Sequence, residues 1–258
     1  MARVRPVDYE DRLTLVEHLA ELRTRLILCI VVFVAAWILC GWQNHFMLEV
    51  VNAPLDDLDQ DLFGPGANPI SFGVTEQFTT TLMVSAYGAL LLSLPFILYQ
   101  LYAFVLPAFS PTERKVAFPL LLMVPVLFIC GVLFCYYVVL EPATEFLLGF
   151  NSDEFTTAVR ARDYYSFVAL TTIAMGLLFQ VPVVILALTR LGITTPEKLR
   201  KNRRFAILGC AVLAAMLPTI DPLTMILEMI PLLILYEVSI LLAAWVGQPP
   251  EPVDAESE

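Results

Sequence analysis

The residues with most chemistry in them are carboxylates and arginines set just before long apolar runs. "LVEHLAELRTRL" at 15–26 places Glu17, His18, Glu21, Arg23 and Arg25 before one such run, and "SPTERK" at 110–115 places Glu113, Arg114 and Lys115 before another. Carboxylates on separate helices near an interface can receive guanidinium groups, because Arg–carboxylate pairs are often bidentate and geometrically selective. Each acid also has a plain structural reading. Glu21 can pair with Arg25 at i,i+4, worth about 0.2–0.5 kcal/mol. Glu113 can complement the dipole of a helix that Ser110 or Thr112 caps. On the residues alone, both readings stand.

Further polar groups lie within or between the apolar runs. Gln180 sits two residues before Pro182, where an amide can satisfy a proline-broken helix or face a cavity. Asp221 lies in "PTIDP", and Glu228 and Glu237 interrupt the last apolar run. An acid at the centre of a span adds about 2.5–3.5 kcal/mol on insertion scales, so such groups are protected or functional. Glu228 and Glu237 are nine residues apart, which puts them on opposite faces of a helix and excludes a paired acid/base site. The sequence has no HExxH, Walker A or glycine-rich dinucleotide pattern, and no plausible Ser/His/Asp set. Its five cysteines are odd in number, lie inside apolar blocks and lack zinc spacing, so they read as packing residues. Neither catalysis nor a metal or other cofactor is expected.

The elements that must position these groups are membrane spans. The 258-residue chain is 59% hydrophobic and 16% charged, with mean hydropathy +0.77; soluble domains average about 45–50% and 25%. A helical span needs about 20 mainly apolar residues. Runs at 26–46, 78–104, 116–140, 164–189, 205–219 and 222–246 predict an all-α polytopic membrane protein with six transmembrane helices, the last two short or tilted. Residues 1–246 read as a single transmembrane domain. The Pro-rich, acidic tail at 247–258 reads as disordered.

Orientation follows from charge. Thirteen of the fifteen Lys and Arg residues flank one set of loops, and only Arg160 and Arg162 fall on the other. The positive-inside rule then puts both termini in the cytoplasm. The acidic 47–77 loop is external.

The order of motifs resembles the TatC family, the multi-spanning receptor subunit of the twin-arginine protein translocase. The resemblance rests on "HLAELRTRL" (18–26), "APL" (53–55), "LPFILYQLYAFVLPAFSPTERK" (94–115), "GVLFCY" (131–136), "FQVPV" (179–183), "LGITTPEKLRKNRR" (191–204) and "PTIDP" (218–222). It covers roughly residues 12–246, in family-like order and spacing.

The resemblance implies a concave six-helix bundle in the cytoplasmic membrane that binds twin-arginine signal peptides. With single-span TatA-type and TatB-type partners, it would export folded proteins at the expense of the protonmotive force. Self-association is also implied, and no nucleic acid. Glu21 and Glu113 stand at the family's arginine-binding positions, with Arg23 and Arg114 beside them in the same motifs. Gln180, Asp221, Glu228 and Glu237 are candidates for intramembrane polar or partner contacts, and Glu237 matches a family acid.

Three positions depart from the family pattern. Gln180 replaces a glutamate common in relatives, Pro142 stands one place late, and Leu217 replaces a common threonine. A small-solute secondary transporter is the alternative class; it calls for an inverted repeat with broken helices at the midplane. An intramembrane protease needs paired catalytic groups at matching depth, and none is visible.

Overall fold

A computed structural model describes residues 15–56, 69–105, 111–151, 154, 159–190, 192–218 and 221–246, the side chains of 15–17, 56, 105, 111–120 and 246 excepted. The acidic tail lies outside the described residues. Those described are all-α in architecture. Their one extended pairing is an isolated parallel bridge between Ile70 and Arg160.

Helix α1 (Leu15–Trp42) is followed after Gln43 by α2 (Asn44–Asp56). Next comes α3 (Glu76–Val105). Helix α4 (Pro111–Phe134) runs through a π-helical segment, Cys135–Val139, into α5 (Leu140–Gly149). Helices α6 (Ala161–Leu178) and α7 (Val181–Arg190) are separated by Phe179 and Gln180. Short α8 (Pro196–Lys201) and α9 (Arg203–Ala215) precede α10 (Pro222–Val246).

Five stretches are long and apolar enough to cross a membrane: His18–Trp42, Glu76–Phe104, Leu121–Gly149, Ala161–Arg190 and Pro222–Trp245. The run expected at 205–219 corresponds to α9. Its 13 residues rise only about 20 Å, short of a hydrocarbon core about 30 Å thick. The expectation of two short final helices is corrected at α10. Asp221 accepts a hydrogen bond from the Thr224 amide at 2.7 Å, an N-cap with Pro222 at the first helical position, and the helix then runs for 25 residues. Capping satisfies an amide the helix leaves orphaned, and proline costs nothing at that position.

Helix α1 packs mainly on α3 and antiparallel to it, with His18 beside Phe104 at one end and Cys40 beside Gly88 at the other. Its outer face, including Leu26, Ile30 and Ile38, is exposed, as a lipid-facing helix requires. The centre is the packing of α3, α4 and α6. At the α4–α6 crossing a Cβ on Gly176 would lie 2.7 Å from Phe128, and one on Gly131 would lie 2.9 Å from the Gly176 Cα. Only glycine permits that approach, and small residues are what allow membrane helices to pack closely.

The first span was expected to run to residue 46, but the chain turns at Gln43 and α2 folds back onto α3 and α5. Pro54 within α2 has no N–H to give the Val50 carbonyl four residues earlier. The Tyr136 hydroxyl donates to that carbonyl at 2.7 Å, and Tyr164 donates to Val51 at 2.9 Å. Two tyrosines from other helices therefore hold α2 in place.

Candidate functional site

At the Glu21 end, the i,i+4 pair forms. Arg25 Nε and Nη2 both donate to Glu21 Oε1, at 2.9 and 2.6 Å, while Nη1 donates to Gln100 Oε1 of α3 at 2.6 Å. Among the described residues no hydrogen bond falls on Glu21 Oε2. The two side chains are 28% and 26% exposed, so the carboxylate is neither buried nor free in water. Within one helical turn of Glu21 toward the chain start, the His18 ring stacks on Phe104 at 4.2 Å and 15°. Arg23 is exposed. Glu113 and Arg114 lie in the first turn of α4, which directly follows the 106–110 connection from the end of α3; their side chains are outside those described. The sequence anticipated Glu21–Arg25. It did not single out Gln100, whose only signal was an amide inside the apolar "FILYQLYAFV".

At the other end of α3 a second Glu–Arg pair has different surroundings. Arg160 Nε donates to Glu76 Oε1 at 2.7 Å, while Glu76 Oε2 accepts the Phe72 and Gly73 amides at 2.8 and 3.0 Å. Glu76 is 8% exposed. The Arg160 guanidinium lies 6.0 Å from the Phe72 ring centre, within cation–π range. Ile70 completes the clasp, donating to Val159 at 2.7 Å and accepting from Ala161 at 3.0 Å. The hydrogen bond to Glu76, then its charge, raises the Arg160 pKa above the ordinary arginine value. Sequence reasoning treated these residues as loop charge. The available signal was a lone pair of arginines in otherwise acidic loops, where a partner acid is to be expected.

Between the two ends lie the interior polar residues. Gln180 is 6% exposed, and its Nε2 donates to the Val124 carbonyl of α4 at 3.1 Å. The amide nitrogen thus bonds across to α4, while the buried Oε1 takes no hydrogen bond among the described residues. Glu228 is fully buried, and the Cys135 thiol, hydrogen-bonded to Thr172, lies within its field. Glu237 is half-exposed and accepts from Arg203 at 2.7 Å, and Tyr236 donates to the Leu199 carbonyl at 2.9 Å, docking α8 on α10. Asp221 is the α10 cap already described. The structure therefore brings Glu21 together with Arg25 and Gln100, and does not bring Gln180, Asp221, Glu228 or Glu237 to that end.

An apolar groove of about 280 Å³ is lined by α2, α3, α4 and α6 through residues such as Met47, Val84, Tyr87, Leu91, Val132 and Tyr165. Among the described residues no cluster of His, Cys, Asp and Glu could hold a metal ion.

Comparison with known proteins points to one family. The family model described as "Sec-independent protein translocase protein (TatC)" matches residues 17–231. The Sec-independent protein translocase protein TatC of Magnetococcus marinus is 34% identical over 234 residues, covering 91% of this chain and 85% of that protein. That of Escherichia coli strain K12 is 34% identical over 232 residues, covering 90% and 88%. A crystal structure described as "Twin Arginine Translocase Receptor- TatC in DDM" superposes with a TM-score of 0.74 at 34% identity, covering 88% of this chain and 99% of that one.

Proposed function

Because this chain belongs to the TatC family of Sec-independent protein translocase proteins, and is a multi-pass membrane protein, we propose that it is the subunit that recognises twin-arginine signal peptides. Glu21 and Glu113 receive the two guanidinium groups, with Arg23 and Arg114 flanking them. The observation that carries this reading is the half-exposed Glu21 carboxylate, held at one oxygen while the other takes no hydrogen bond among the described residues. Charge-assisted hydrogen bonds to such an oxygen are roughly twice as strong as neutral ones.

The apolar part of the signal lies along α3 toward the groove. Gln100 marks the Glu21 end of that helix, and Leu91 and Val84 line the groove. At about 1.5 Å per residue these lie about 14 and 24 Å away, the length of a helical segment of about 9–16 residues. TatA-type and TatB-type single-span proteins, and further copies of this chain, complete the assembly that exports folded cargo using the protonmotive force.

In this reading the protein sits in the cytoplasmic membrane with both termini inside, on the side favoured by thirteen of fifteen cations. Short α9 serves as a sixth, membrane-thinning span. The solute-transporter class draws least support: its expected midplane site would use the break at Phe179 and Gln180, yet Gln180 is buried and its Nε2 is bonded to Val124 within the protein.

The test is crosslinking of a twin-arginine peptide to Glu21→Gln, Glu113→Gln and the double variant, each checked for membrane level. The double variant loses the crosslink and stays in the membrane. Undiminished crosslinking there sinks the assignment.

A further inference from the structure

Resting on the twin-arginine reading of Glu21, we infer that Gln100 is a specificity-determining positioning residue: through Arg25 it holds the Glu21 carboxylate in the one orientation that favours an arginine over a lysine. Arg25 places two donors on a single oxygen, Oε1, and its third on Gln100 of the neighbouring helix, 75 positions away in sequence. A planar guanidinium anchored at both ends cannot pivot, which fixes the position of Oε1 and narrows the rotamers left to Glu21. Without Gln100 the pair is an ordinary half-exposed i,i+4 contact whose side chains sample several rotamers.

The same contact decides what kind of ligand Glu21 can select. Arg25 cancels the charge of Glu21, so a bare point charge such as a lysine ammonium gains little from long-range attraction. What Glu21 still offers is a directed acceptor, Oε2, which takes no hydrogen bond among the described residues. A rigid fork of N–H donors is rewarded by a fixed acceptor more than a freely rotating ammonium is. His18 stacked on Phe104 is a second tie between α1 and α3 at this end, so the acceptor sits on a braced pair of helices rather than a frayed terminus.

The experiment measures binding of two fluorescent peptides, identical except for Arg-Arg or Lys-Lys, to the full chain in lipid nanodiscs. The readout is the ratio of the two affinities. Gln100→Leu is expected to lower the ratio about tenfold, the worth of one directed charge-assisted hydrogen bond. Gln100→Glu, which still accepts from Arg25, keeps the ratio near wild type. Arg25→Lys keeps the charge, loses the fork and lowers the ratio as Gln100→Leu does, so the inference does not hang on one variant's folding. Arg25→Gln uncovers the Glu21 charge and raises Lys-Lys binding.

Glu21→Gln separates the two levels of argument. If it abolishes Arg-Arg preference while Gln100→Leu and Arg25→Lys leave the ratio unchanged, the positioning role is overturned and the receptor reading survives. If Glu21→Gln itself leaves Arg-Arg binding intact, the receptor reading falls and this inference with it.

Discussion

At one end of α3, Glu76 has both carboxylate oxygens engaged by the protein; at the other, Glu21 meets Arg25 and the Gln100 helix with, among the described residues, only Oε1 engaged. Both are Glu–Arg pairs with a closest contact of 2.6–2.7 Å. They differ in completeness and burial. Glu76 is 8% exposed and takes an arginine plus two backbone amides, which satisfies it and ties the segment before α3 to the segment before α6. Glu21 is more than a quarter exposed and shares a helix with its arginine. A saturated carboxylate has no acceptor left for a ligand, whereas a partly satisfied one at an interface does. Completeness of coordination, rather than the presence of an ion pair, separates the structural pair from the one proposed to bind.

The largest effect expected from this contrast is on peptide recognition. Glu21→Gln should lower the affinity for a twin-arginine peptide about 10- to 100-fold, the range for a hydrogen bond to a charged group, while Glu76→Gln should leave it near wild type. Titration of both variants with one labelled peptide checks this; equal losses at normal protein levels would erase the distinction.

Stability should reverse the order. Glu76→Ala leaves Arg160 and the Phe72 and Gly73 amides without their shared acceptor, so its melting midpoint in detergent should fall by several degrees, with Glu21→Ala falling less. Intrinsic-fluorescence melts of the two proteins decide it.

Gln180 tests the interior between the two ends. Gln180→Ala removes one neutral hydrogen bond to Val124, worth about 1 kcal/mol, and should impair export less than loss of either Glu21 or Glu113. A complete export block at normal protein level would mean that Gln180 acts directly in transport.

The smallest effect belongs to a third Glu–Arg pair, Arg203–Glu237, whose side chains are 53% and 48% exposed. Arg203→Gln should cost less than about 1 kcal/mol and the difference should shrink in high salt. A larger, salt-insensitive loss would show that exposure is a poor guide to which pairs matter here.

How much was legible before the fold depended on how local the information was. The apolar runs and the Glu21–Arg25 pair are each written within a few turns of one helix. The α9 run and the 222–246 bounds of α10 were visible, whereas the Asp221 cap that starts α10 is a contact within four residues that the "PTIDP" motif contains but does not announce. Gln180 was singled out correctly as unusual and its surroundings were not foreseen, because its partner lies 56 positions away on α4. Gln100 and the Glu76–Arg160 clasp were missed for the same reason. Glu113 and Arg114 could be placed only at the start of α4.

The sequence by itself determined that this chain spans a membrane, where the apolar helices lie, which loops carry the cations, and which family's motifs it bears. Hydropathy and charge act residue by residue and sum along the chain, so they need no knowledge of neighbours in space. Tertiary structure alone decided that Gln100 anchors Arg25, that two tyrosines hold α2 against its proline break, that Gly131 and Gly176 set the α4–α6 approach, and that Glu76 is saturated while Glu21 is not. A polar group's role depends on how many of its donors and acceptors are satisfied, and in a membrane bundle those partners come from whichever helix packs alongside.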